Sequence, residues 1–554
     1  MKYRLLLAVL VLAPSAVMAE DDALSRNITV ERDYNPSTVD AVKISPIPSK
    51  EDLNVEKPDV KYSTNTQPQD VVLTNDLVKA DYYDDDLTED YKNGVAKVGL
   101  GFYWQTLAEF YYPMIKTDQY LFDIDLKHIG NFGRRSLADG TTPRAMEHNT
   151  ALKLNFEDQL TEMTLFANAR VSYNGFDYYG YQDSLGVPTE LHTDTLLRGK
   201  TGSYTDVKAK FGLFSTNPYS NLEYKFDIGY QYFGRNFSVQ EHSILTNLDL
   251  GGEVGPGKLG AEIEAELEFF NQGSGNQSDA LIKLKPYYTF GGKRWNLRLG
   301  GDMNIHIEKD SNRPFTGSAN ILGNFALVPE RLYLNTGIGG YFNENMYSEI
   351  IKENKWINPM LIVEPSYSPV DINVNLKANI IKGLMFDAGV RYTLILDQYY
   401  YVNDTLPSGI TLNTFHTVYD NTNKVTAELG LYFNYVKGLD ISLKGKYNYW
   451  GAVNLERAWQ KPAWEVNFDA SYLIKEKWRI GLSYNFLGGR YALIGGKAVK
   501  MNNVHDLNLY FSYQVLDFLE IFATGKNLIN ITSDTYYGYT TMGINAMIGA
   551  TFRF

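Results

Sequence analysis

Four glutamates stand at alternate positions, Glu262, Glu264, Glu266 and Glu268, with Ile263, Ala265 and Leu267 between them. In an extended chain, residues two apart lie about 6.6 to 7 Å apart on one face. The spacing therefore makes a line of carboxylates backed by an apolar stripe. Four like charges in a line repel unless water, cations or basic side chains answer them. Two chemistries are open: a cation-preferring wall, or ion pairing with lysines. Lysines recur at the same two-residue spacing at Lys208 and Lys210, Lys283 and Lys285, and Lys444 and Lys446, on the polar faces of their segments. Pairing is the plainer reading, and these glutamates with Lys208, Lys210, Lys444 and Lys446 are the candidate lining of a polar lumen.

Catalysis has no comparable constellation. His128, His148, His192, His242, His306, His416 and His505 are dispersed, with no His-Glu-x-x-His pair and no Gly-x-Ser-x-Gly elbow. The absence of cysteine excludes disulfides, thiolate metal sites, a cysteine nucleophile and a lipoprotein anchor. No enzyme activity, cofactor, metal or nucleic-acid partner is expected.

The element that positions the glutamate ladder recurs along the chain. Met542, Ile544, Ala546, Ile548, Ala550, Phe552 and Phe554 alternate with mostly small or polar residues. Ile372 to Ile380, Trp464 to Tyr472 and Trp478 to Phe486 repeat the pattern. Period two makes one strand face apolar and the other not. The segments run roughly 10 to 15 residues, and about 9–11 tilted residues cross a bilayer. Short connections such as 255–258, 291–294, 328–331, 437–439 and 475–477 alternate with long ones near 131–146, 180–203, 346–369, 452–462, 487–502 and 530–540. That asymmetry is the signature of an outer-membrane barrel. The expected fold is all-β: a transmembrane antiparallel β-barrel of about 22 strands over residues 94–554, with an extended segment before it. No run of 18 apolar residues exists, so a helical membrane protein is excluded.

Residues 1–19 combine Lys2 and Arg4, the apolar run Leu5 to Ala13 and small residues up to Ala19, as a secretory signal does. Residues 20–93 hold 18 acidic and 8 basic residues and five prolines. They offer too little apolar surface to fold alone. Their densest stretch, 81–90, reads as a solvated acidic linker; it lacks the ligand spacing of a calcium loop. This segment is expected in the periplasm or occluding the lumen.

Two long loops carry their own signals. Residues 346–369 contain a helical stretch at 348–355, Trp356 and three prolines; such a loop can fold inward or meet a partner. Residues 131–146 contain Arg134, Arg135 and Arg144, which suit anionic sugars or phosphates. Solvated loops are the plainer expectation for both.

The C-terminus carries a more specific pattern. Gly525-Lys526-Asn527-Leu528-Ile529-Asn530, then Tyr536-Tyr537-Gly538, then a last strand ending Thr551-Phe552-Arg553-Phe554, resembles the closing hairpin of TonB-dependent receptors. Phe554 also resembles the signal that hands outer-membrane barrels to the assembly machinery. The resemblance implies a receptor-type barrel in the outer membrane of a Gram-negative cell, meeting lipid and that machinery. It departs at the other end, where residues 20–93 are too short for the family's plug domain. Ile28-Thr29-Val30 has some of the character of a TonB box, but energised transport is not implied. The expected function is solute passage or its gating, together with envelope partner proteins. The alternative is a non-transporting structural subunit of an outer-membrane assembly or export complex.

Overall fold

The computed structural model describes residues 94–137, 140–180, 197, 199–217, 220–272, 275–307, 313–406 and 409–554. The signal and acidic segments, 1–19 and 20–93, lie outside these residues. The chain runs β1 (Val95–Gly101), β2 (Gln105–Lys116), β3 (Tyr120–Asn131), β4 (Glu147–Gln159), β5 (Met163–Asp177) and β6 (Thr201–Ser215). Next come β7 (Leu222–Arg235), β8 (Val239–Val254), β9 (Gly257–Gln272), β10 (Gly275–Gly292), β11 (Trp295–Ile307), β12 (Phe315–Val328) and β13 (Leu332–Asn343). A helix, α1 (Tyr347–Glu353), precedes β14 (Ser366–Ile381), β15 (Leu384–Thr405), β16 (Thr411–Phe433), β17 (Leu439–Ala452), β18 (Trp464–Ile474) and β19 (Trp478–Gly488). The chain closes with β20 (Tyr491–Ile494), β21 (Lys497–Lys500), β22 (Val504–Leu516), β23 (Leu519–Lys526), β24 (Asp534–Tyr536), β25 (Tyr539–Thr540) and β26 (Asn545–Arg553).

Twenty-two of these strands form one antiparallel sheet, and β1 pairs with both β2 and β26, so the sheet closes on itself. The hairpins β20–β21 and β24–β25 stand apart from it. The barrel expected from the alternation is present, with the expected strand number. At β15 and β16 the strands reach 22 and 23 residues, longer than the expected 10 to 15. The excess carries the wall past what a bilayer requires.

Register sorts the faces. Val374, Val390, Ala427, Tyr447 and Trp464 are successive partners across β14 to β18, and all but Ala427 are exposed large hydrophobics. One residue along, the row reads Asn375, Gly389, Glu428, Lys446, Glu465. A period-two strand in a closed sheet puts the first row outside and the second inside. Every second connection is short. Gly438 turns one of them at φ +79°, and a Cβ there would stand 2.6 Å from the Leu473 carbonyl oxygen, so only glycine fits. The other connections are mostly long and gather at the opposite end.

The seam joins the first and last strands. The N–H groups of Gly94 and Phe554 each donate to the other's carbonyl. The Phe554 ring stacks 6.1 Å from Tyr112.

Candidate functional site

The long-loop end holds the largest buried cluster, built from connections packed on strand ends: Tyr178, Tyr179, Ile350, Trp356, Tyr536 and Tyr539 belong to it, with Tyr401 and Phe415 of the wall. The centre is the segment 344–365 between β13 and β14, which leaves the wall and crosses the mouth. Its helix is where the sequence placed it, one residue earlier at the start. Its burial runs against the solvated expectation: Tyr347, Ile350, Ile351, Trp356 and Ile357 are buried. Each such side chain contributes about 1.5–3 kcal/mol when withdrawn from water, so this loop folds inward rather than into solvent.

On one side the segment is fixed to β6–β9. The Ser348 N–H donates to Glu241 at 3.1 Å, and Lys352 meets Asp206 at 2.7 Å. The buried Arg235 guanidinium donates to the phenols of Tyr347 and Tyr178 and to the Ile357 carbonyl, the last at 2.9 Å. Gln272 donates to the Pro359 and Leu361 carbonyls at 2.6 and 3.1 Å.

On the other side it is fixed to β15 and β16, nearly half-way round the sheet. Ile357 bridges Phe415 in parallel, and the Asn358 N–H donates to the Phe415 carbonyl at 2.8 Å. Glu353 accepts from Tyr399 at 2.5 Å and Tyr401 at 3.0 Å, and pairs with Lys461 at 2.6 Å. A buried carboxylate costs several kcal/mol unless its oxygens are answered; here three donors answer them.

The closing hairpin supplies the third support. Trp356 stacks on Tyr539 with ring centres 3.9 Å apart, and Tyr536 donates to the Glu353 carbonyl at 3.0 Å. Tyr539 donates to the Asn413 carbonyl at 2.6 Å. The Asn-Leu-Ile-Asn motif fastens the base of this loop. Asn527 donates to the Ile531 and Met542 carbonyls at 3.0 and 2.6 Å, and Asn530 accepts the Ile544 N–H at 2.9 Å. Arg490 donates to the Thr535 and Asp534 carbonyls at 2.5 and 2.6 Å. Burial pulls the Arg490 guanidinium down to about 10 and pushes the Tyr178 phenol up to about 12, the latter against the pull of Arg235.

The arginines of 131–146 are turned to the same purpose. Arg135 donates to the Thr540 carbonyl at 2.7 Å, and Arg144 pairs with Asp177 at 2.8 Å. Arg134 donates to the Thr142 carbonyl at 3.1 Å. Arg134 and Arg144 stay exposed, as the solvated expectation has it, while Arg135 reaches across to the closing hairpin.

Pairing within the glutamate ladder is local. Glu264 takes Lys283 at 3.3 Å and Lys285 at 2.7 Å, and Glu262 takes Arg298 at 2.6 Å. Among the described residues, Glu266 and Glu268 have no basic group within 4 Å. The other lysines pair elsewhere: Lys210 with Asp227 at 3.1 Å and Lys446 with Glu428 at 3.0 Å. Lys444 lies 5.7 Å from the Tyr432 ring centre. Lys208 lies beside Arg170 in the register.

The mouth itself was not foreseen. Its signal lay in the tyrosine runs at strand ends: Tyr178-Tyr179, Tyr399-Tyr400-Tyr401 and Tyr536-Tyr537.

No protein-family model matches the sequence, and no curated protein is similar to it in sequence. Solved structures share its fold. The copper transporter OprC superposes with a TM-score of 0.62 at 11% identity, over 83% of this chain and 80% of that one. The siderophore receptor PirA of Acinetobacter baumannii gives 0.62 at 12% identity, over 83% and 80%. The ferric-catecholate import receptor Fiu of E. coli K12 gives 0.58 at 10%, over 84% and 82%. The barrel fold implied by the closing hairpin is thus shared with these structures.

Proposed function

We propose that this chain is an outer-membrane, receptor-like barrel through which a solute passes, gated by its own loops and working with partner proteins of the envelope. The carrying observation is the segment 344–365, which crosses the mouth and is fixed to both walls. In this reading the short-turn end faces the periplasm, residues 1–19 are a cleaved signal, and residues 20–93 lie in the periplasm or occlude the lumen. The lumen wall includes Glu262, Glu264, Glu266, Glu268, Lys208, Lys210, Lys444 and Lys446. The barrel-assembly machinery inserts the chain, with Phe554 as its signal. The likeness to a siderophore receptor and a ferric-catecholate import receptor supports uptake as the direction of passage.

One observation favours a second reading. A mouth packed like a protein core need not open, as suits a non-transporting subunit of an envelope assembly. Two measurements separate them. Proteoliposomes carrying the chain with residues 347–363 replaced by a short Gly-Ser linker should release a trapped small dye, while the intact chain retains it. Purification in mild detergent that brings down a stoichiometric envelope complex, with no dye release from either form, favours the second reading.

A further inference from the structure

Arg170 and Lys208 are direct register partners on β5 and β6, and Lys153 is next in the same row on β4. Like charges directly opposite in a sheet repel. Of the carboxylates around them, Asp125 pairs with Lys153 at 3.1 Å, Asp206 with Lys352 at 2.7 Å and Asp227 with Lys210 at 3.1 Å, while Glu349 of α1 attracts Lys208 from beyond ion-pair distance. Among the described residues, no carboxylate lies within ion-pair distance of Arg170 or Lys208. Both are exposed, on the face that carries Asp206 and Lys210, beneath α1.

The row leads back to where the chain enters the sheet. Lys208, Arg170, Lys153, Asp125, Tyr111 and Val95 are successive register partners. Val95 is the first residue of β1. Arg170 and Lys208 therefore stand four and five strands from β1, roughly 19 and 24 Å along the wall at about 4.8 Å per strand. Immediately before β1 the sequence carries Asp81, Asp84, Asp85, Asp86, Glu89 and Asp90. These residues lie outside the described ones, but their tether is fixed by sequence. Asp86 precedes Val95 by nine residues, a reach of up to roughly 30 Å. A short flexible tether holds such a group at a concentration on the order of millimolar.

We infer that residues 81–90 dock on the Arg170–Lys208 row, so that an acidic segment of this chain covers one wall of the lumen. Charge complementarity selects the occupant and the entry point at Val95 brings it within reach. Contacts of this kind are weak singly and screened by salt.

The chain has no cysteine, so introduced pairs report without background. In the full-length mature protein, Asp86→Cys is combined with Lys208→Cys, or with Asn467→Cys on the far wall, and treated with a bis-maleimide. Heat-modifiable migration identifies the folded barrel in each variant. The expected result is a cross-linked yield at position 208 about fivefold above that at 467. It should fall about as much in 1 M NaCl and when Arg170→Glu is added. Equal yields at both walls, a salt-insensitive yield, or no link at 208 overturns the proposal. A cysteine at 208 that does not link to 86, yet is shielded from an anionic thiol reagent by inorganic phosphate, assigns the row to a free anion and likewise overturns it.

Discussion

Glu353 and Lys461 meet 2.6 Å apart with side chains 1% and 5% exposed, joining the helix that crosses the barrel mouth to the loop after β17. An ion pair so withdrawn from water is costly to break from one side. Removing one partner strands the other charge, at about 3–5 kcal/mol, whereas replacing both with apolar groups of similar size is often nearly neutral. Lys461→Ala should therefore loosen the mouth and raise the rate of dye release. Glu353→Leu combined with Lys461→Met should restore much of the closure. Equal leakage from the single and double variants would show that the pair does not hold the segment.

The tyrosines make the mouth sensitive to alkali. Burial holds Tyr178 up at about 12, and Tyr539 well above the usual tyrosine range. A phenol that binds its proton more tightly when buried contributes stability in full below pH 10, its ordinary range. That contribution is lost as pH rises toward 12. For Tyr178 it is about 2 to 3 kcal/mol. The mouth should open between pH 10 and 12 while the barrel stays folded. Iodide quenching of Trp356, taken as the difference from a Trp356→Phe variant, should appear in that window; a flat response would contradict the assignment.

The two faces of a strand should answer a charge differently. Leu482→Arg places a cation on the exposed apolar face and should cost about 2–4 kcal/mol of folding stability. Ser483→Arg, one residue on, points among Asp469 and Asn508 and should cost little. Ile263 and Glu264 are a poorer comparison, because Glu264 already holds two lysines and its reversal would set three cations together. Denaturant titration in detergent reads the difference, and equal costs at 482 and 483 would count against the facing.

That contrast also marks what the sequence disclosed. Period two is local, so the strands, their number and the ladder at 262–268 could be read directly. Pairing of Glu264 with Lys283 and Lys285 follows from β9 and β10 being chain neighbours. The mouth is not local. Tyr178 reaches Ile357 across 179 residues, and Tyr536 reaches Glu353 across 183. No spacing rule connects such positions, so 346–369 read as a solvated loop although its helix was visible. Arg135 is hidden from sequence for the same reason, since its acceptor, the Thr540 carbonyl, lies 405 residues away on β25.

Phe554 should matter to closure of the sheet. Its backbone exchanges two hydrogen bonds with Gly94, and its ring lies against Tyr112 and Phe110. Deleting it should lower the heat-modifiable fraction in outer membranes and leave unfolded chain behind. An unchanged folded fraction would argue that neither the seam nor the assembly signal depends on it.

The most direct test of the gate is conductance in planar bilayers. Two forms are compared, both lacking residues 20–90 so that the acidic segment does not contribute. One keeps 347–363 and the other carries a Gly-Ser linker in their place. If the loops close the barrel, the first stays closed and the second forms a large, steady pore. A steady pore in the first form, or closure of both, contradicts the account.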